Sequence, residues 1–111
     1  MESLEVVKLI KQFIDEKLGE DIICLDLREI SSITDFLLIA TGKADTHVKA
    51  ISNFLIDEMK KQYGIRPLAV EGLNAGTWAC IDYGDIIVHI MREYERQTYD
   101  LQAIWGEASR V

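Results

Sequence analysis

The chain of 111 residues holds one proline, two cysteines and no apolar run that approaches the length of a membrane span. Each shortage excludes a class of protein. A lone proline beside 49% hydrophobic and 8% aromatic residues puts the composition inside the globular range and outside the disordered one. Cys24 and Cys80 sit in separate apolar runs without CxxC spacing, which reads as buried, reduced thiols and indicates no disulfide framework. A helical span needs roughly 20 consecutive apolar residues, so no membrane role is expected. The first residues, "MESLEVVKLI", start acidic and lack the basic region and small-residue cleavage site of a signal peptide, so a cytoplasmic location is expected.

Basic residues are scarce too: 12 against 19 acidic ones, for a formal net charge of -7. Such a chain repels phosphate backbones, and nucleic acid is not expected as a direct ligand. The imbalance continues past Pro67, where Glu71, Asp82, Asp85, Glu93, Glu95, Asp100 and Glu107 face only Arg92, Arg96 and Arg110. A basic protein surface is the natural complement.

What is present is periodic. Residues 4–18, "LEVVKLIKQFIDEKL", place Val7, Ile10, Ile14 and Leu18 three and four apart, predicting an amphipathic helix with Ser3 as N-cap and Gly19 as its stop. "DIICLDL" (21–27) and "FLLIAT" (36–41) read as strands, the second apolar enough to be buried on both faces. Asp45 is expected to cap a second helix striped by Val48, Ile51, Leu55 and Met59, ending near Gly64 and Pro67. "LAVEG", "WACID" and "DIIVHIM" supply three further strands, the last two joined at Tyr83-Gly84. "EYERQTYDLQAIWGEA" predicts a third helix, with Tyr94, Thr98, Leu101 and Trp105 on one side and an Arg96–Asp100 pair. The expected fold is α/β: a single domain over 1–111, with a mixed five-stranded sheet flanked by helices.

A two-residue turn at Tyr83-Gly84 would set Asp82 opposite Asp85, Cys80 opposite Ile87 and Trp78 opposite His89. Ala79, Ile81, Ile86, Val88 and Ile90 then line a core face, and Trp78, Cys80, Asp82, Asp85, Ile87 and His89 the other. Cys80, His89 and the aspartates offer metal ligands, but they are interleaved with Trp78 and Ile87 and lack ligand spacing, so no metal is expected and His89 reads as a packing residue. Asp82 and Asp85 could hold magnesium in a nucleotidyl transferase, although turn aspartates usually just form turns. "ATGKADT" fails as a phosphate loop, since Leu37 stands where the first glycine belongs and Ala44 where Ser or Thr belongs; its backbone N–H groups could still meet an anion. Ser31 and Ser32 have no nucleophile-elbow setting. Trp78 has two readings: a plug at the core edge, or an interface anchor forming an aromatic patch with Tyr83 inside a rim of Glu71, Asp82 and Asp85.

In the blocks "SSITDFLLIATG", "HVKAIS", "VEG", "IDYGDIIVHI" and "RQTYDLQAIWGEA" the chain resembles the ribosomal silencing factor family, RsfS, also called Iojap. The likeness runs from about Asp21 to Ala108 and includes the spacing between blocks. It implies a nucleotidyltransferase-like fold without that superfamily's chemistry: the transferases' Gly-Ser pair is Gly42-Lys43 here, and only Glu71 stands where two acids would alternate. It implies no cofactor and no enzymatic activity. It further implies binding to the large ribosomal subunit through universal ribosomal protein fourteen, which blocks joining of the small subunit and represses translation when nutrients are scarce. Carried over by position, Glu71, Gly72, Trp78, Asp82, Tyr83, Gly84 and Asp85 are the expected partner-binding residues. Ala79 and Cys80 depart from the bulkier aliphatics of the pattern. His89, Arg96, Tyr99 and Asp100 also match, as interface or as its support. The alternatives are a magnesium-dependent nucleotidyltransferase and a homodimer formed through the same sheet face.

Overall fold

The computed structural model describes residues 1–111. Along the chain run α1 (Ser3–Glu16), β1 (Glu20–Asp26), β2 (Phe36–Gly42), α2 (Asp45–Tyr63) and β3 (Ala69–Glu71), followed by β4 (Trp78–Asp82), β5 (Ile86–Arg92), α3 (Glu93–Tyr99), α4 (Leu101–Ile104) and β6 (Ser109–Arg110). The strands make one mixed six-stranded sheet in the order β3-β4-β5-β2-β1-β6. β2 and β5 run parallel in its middle, and the other pairings are antiparallel. All of β2 is buried, as its unbroken apolar run requires of a strand covered on both sides.

α1 and α2 cover one face. Val7, Ile10 and Ile14 of α1 and Val48, Ile51, Leu55 and Met59 of α2 are fully buried against Leu38, Ala40, Ile81, Val88 and Ile90 of the sheet. Phe13 meets Phe54 edge-on at 5.9 Å where the two helices touch. The other face carries a smaller cluster of Leu25, Leu27, Leu37, Ile39 and Met91, on which Trp78, Ile87, Leu101 and Trp105 pack. The C-terminal arm therefore covers the β1–β2 side, while the β3–β4–β5 end keeps Ala69 and Glu71 exposed and Cys80, Asp82, Ile87 and His89 half-buried. No helix is long and apolar enough to cross a membrane.

Several expectations from the sequence are corrected. The sheet gains a sixth strand, because Ser109 and Arg110 pair with Asp26 and Leu25; two residues are too few to show a period. α1 stops at Glu16, and Leu18, expected in its stripe, turns outward at φ 61 and is 71% exposed. The N-caps are Glu2 and Ala44 rather than Ser3 and Asp45, and the Asp45 carboxylate accepts the Thr46 N–H instead. The third helix is broken at Asp100, whose φ of 38 ends α3; aspartate is among the few side chains that tolerate this left-handed region. Tyr94 is exposed, and Arg96 bonds Thr41 and Gln102 rather than pairing with Asp100.

The hairpin register also moves. Asp82 pairs with Ile87, Cys80 with His89 and Trp78 with Met91, so the turn is centred on Gly84-Asp85 and not on Tyr83-Gly84. Gly84 takes φ 89 and donates its N–H to the Asp82 carboxylate at 2.7 Å, while the Asp85 carbonyl accepts from Asp35 and Phe36 N–H groups at 3.0 Å. A register shift of two moves Asp85 from the strand into the turn but leaves the side chains of β4 and β5 on their expected faces, which a shift of one would have reversed.

Candidate functional site

β4 alternates buried and half-buried residues, with Ala79 and Ile81 under the helices and Trp78, Cys80 and Asp82 on the opposite side. Glu71 of β3 lies across from Cys80, and His89 of β5 lies across from it on the other flank, so Glu71, Cys80 and His89 share that face. Glu71, Gly72, Trp78, Cys80 and His89 line a cleft of about 360 Å³. Gly72 lets the chain close on β4: at φ 78, a Cβ there would stand 2.0 Å from the Trp78 carbonyl oxygen. Backbone meets backbone at that point.

The indole of Trp78 is held from two other elements. Its Nε1–H donates to His89 Nδ1 at 2.9 Å, and its ring lies 4.9 Å from that of Tyr99 on α3. An imidazole nitrogen can accept only if it carries no proton, so this bond assigns the neutral ring with its proton on Nε2. Burial agrees, since desolvation pulls the His89 pKa down to about 4. Cys80 is shifted the other way. Burial first, then the carboxylates of Asp82 and Glu71, raise its pKa and keep the thiol protonated and a poor nucleophile.

The seven expected interface residues do not form one patch. Glu71, Gly72, Trp78 and Asp82 share the open sheet face, whereas Tyr83 packs against the main core on the helix side. Its hydroxyl is buried without a protein partner, and burial pushes its pKa up to about 12. The aromatic neighbour of Trp78 is Tyr99, not Tyr83. Asp82 stands four residues from Trp78, or about 13 Å along the strand, with its carboxylate bonded to the Gly84 N–H. Gly84 and exposed Asp85 form the turn tip beyond it.

The four residues of undecided role separate as well. His89 and Tyr99 touch Trp78. Arg96 donates through Nη1 to the Thr41 hydroxyl of β2 at 2.8 Å and through Nε and Nη2 to Gln102, which ties the arm to the sheet. Asp100 provides the sharp bend between α3 and α4. The Trp78–Tyr99 contact crosses from strand to arm, and no local pattern announces it.

The other candidate chemistries find less. No three His, Cys, Asp or Glu side chains come together to hold a metal ion. In the loop after β2, the Lys43 N–H donates to His47 Nδ1 at 2.9 Å, so that amide is engaged within the chain. A roomier cleft of about 640 Å³ lies between β1 and α3, but its Asp21, Glu93 and Asp100 alternate with Arg96 and Arg110, which gives it no dominant sign of charge.

A family model described as "Ribosomal silencing factor during starvation" matches residues 1–111. A Bacillus subtilis (strain 168) protein named Ribosomal silencing factor RsfS is 34% identical over 108 residues, covering 97% of this chain and 91% of that one. A mouse protein named Mitochondrial assembly of ribosomal large subunit protein 1 is 26% identical over 102 residues, covering 89% of this chain and 44% of its own length. The crystal structure of a Chromobacterium violaceum protein superposes with a TM-score of 0.92 at 35% identity, covering 96% of this chain and 88% of that one. Matched over its whole length by the family model and nearly so by a relative that bears the family's name, the chain belongs to the ribosomal silencing factor family, RsfS.

Proposed function

We propose that this protein silences translation by occupancy: it docks on the large ribosomal subunit and excludes the small one, with no chemical step. Membership of the ribosomal silencing factor family supports the ribosome as target, and the mouse relative's name supports the large subunit. The docking surface is the open sheet face, with Trp78 at its centre and Glu71 and Asp82 at its rim. One observation carries this reading: a half-buried indole in a cleft lined by Glu71, with Asp82 farther along the same strand face, on a chain of net charge -7. Such a surface gains nothing from ribosomal RNA and fits a basic ribosomal protein, for which universal ribosomal protein fourteen is the candidate from the family resemblance. Gly84 and Asp85 extend the acidic edge, and Tyr83 supports the turn from the core side.

Exclusion of this kind depends only on affinity and concentration. Co-sedimentation with purified large subunits tests it. Trp78→Ala should weaken binding by about 30-fold, the scale of an interfacial aromatic anchor, and restore subunit joining. Glu71→Gln with Asp82→Asn should make the remaining binding less sensitive to salt. Undiminished binding by these folded variants would remove this face from the proposal. The nucleotidyltransferase alternative predicts a raised melting temperature with magnesium and ATP or CTP, and a self-pairing face predicts a dimer mass by light scattering.

A further inference from the structure

We propose that His89 and Tyr99 are positioning residues, which fix the plane of the Trp78 indole before any partner arrives. The inference rests on the reading that Trp78 is the docking anchor. Trp78 opens β4 directly after the loop "NAGT", so its own strand restrains it on one side only. The indole N–H is a donor with no acceptor capacity, and half-buried it needs a fixed partner. His89 Nδ1 is that partner at 2.9 Å, from a strand whose position is set by the parallel pairing with β2. The Tyr99 ring lies against the same indole from α3, and the Arg96 bond to Thr41 anchors α3 to β2.

The arrangement brings two constraints from two elements onto one side chain. A side chain ordered in advance does not lose that freedom on binding, and rotamer ordering is a recurrent cost of association. His89 need not touch the partner for this. Its role is to accept a hydrogen bond, and a different acceptor of similar reach should replace it.

The test follows the Trp78 indole N–H signal by nuclear magnetic resonance, identified by its loss in Trp78→Phe, beside affinity for isolated large subunits. His89→Leu should shift that signal, speed its exchange with water and weaken subunit binding by roughly threefold to tenfold, the scale of ordering one side chain. His89→Gln offers an amide oxygen and should restore most of both. A purely structural role for His89 predicts no such rescue of the indole signal by glutamine. A His89→Leu protein with a displaced indole signal and unchanged affinity overturns the inference, while the docking reading survives if Trp78→Ala still loses binding. Normal binding by Trp78→Ala overturns both. Should His89→Leu fail to fold, Tyr99→Ala at a 55% exposed position makes the same comparison, and a displaced indole with unchanged affinity is again refuting.

Discussion

Acidification should destabilise this protein through His89 in a defined window. Unfolded, the imidazole titrates near its ordinary value of 6.5; folded, burial pulls it down to about 4. Between those values the unfolded chain takes up a proton that the folded one refuses, so protons drive unfolding there. The stability that neutral His89 contributes is present above the unfolded value and is lost as the pH falls toward the folded one. At 1.36 kcal/mol per unit, the gap from 6.5 to about 4 amounts to about 3 kcal/mol. The carboxylates of Asp26 and Glu95 are lowered by hydrogen bonds from Arg28 and Arg92, so their effect belongs to more acidic solutions. Urea unfolding of the wild type and His89→Gln at a series of pH values isolates the imidazole, since other groups titrate alike in both. The wild-type free energy should fall more steeply across the window, by up to one proton's slope. Parallel curves would refute the reasoning and show that the ring is not held neutral by its surroundings.

Three further outcomes are expected. Gly72→Ala places a methyl group 2.0 Å from the Trp78 carbonyl at a positive φ, so it should cost about 2 kcal/mol or more, seen as a lower melting temperature, and displace β3 from the cleft. Arg96→Ala removes the bonds to Thr41 and Gln102 and should cost about 1 to 3 kcal/mol, with hydrogen exchange accelerated in α3 and α4 before the rest of the chain. Cys80 should alkylate with iodoacetamide more slowly than a free thiol at neutral pH, and Asp82→Asn should narrow the difference by removing one of the carboxylates that raise it.

Much of this was legible in the residues. The stripe Val48, Ile51, Leu55 and Met59 is fully buried, β4 spans the five residues of "WACID", and β2 is covered throughout as its composition demanded. The misses have distinct causes. Gly84 announced a turn, but a glycine permits a positive φ at either turn position, and the choice fell to the Asp82 carboxylate and the segment before β2. Asp100 broke a helix whose apolar spacing continues to Leu101 and Trp105, both of which still reach the sheet. At the site, period-two alternation put Trp78, Cys80, Asp82 and His89 on one face but could not say what covered it. That Tyr99 replaces Tyr83 beside the indole is decided by where the arm lies, a tertiary fact with no signature in sequence.

The pairing of β2 with β5 joins segments nearly half the chain apart, Phe36 beside Ile86. β4 and β5 can zip together as neighbours, whereas bringing β5 against β2 means closing a much longer loop, at a greater cost in chain entropy. Until that closure, the hairpin has neither helices behind it nor the arm in front, and Trp78 has no fixed surroundings. The surroundings of the indole are therefore completed only with that closure, and a chain stalled short of the central pairing would lack the proposed docking face as well as its stability.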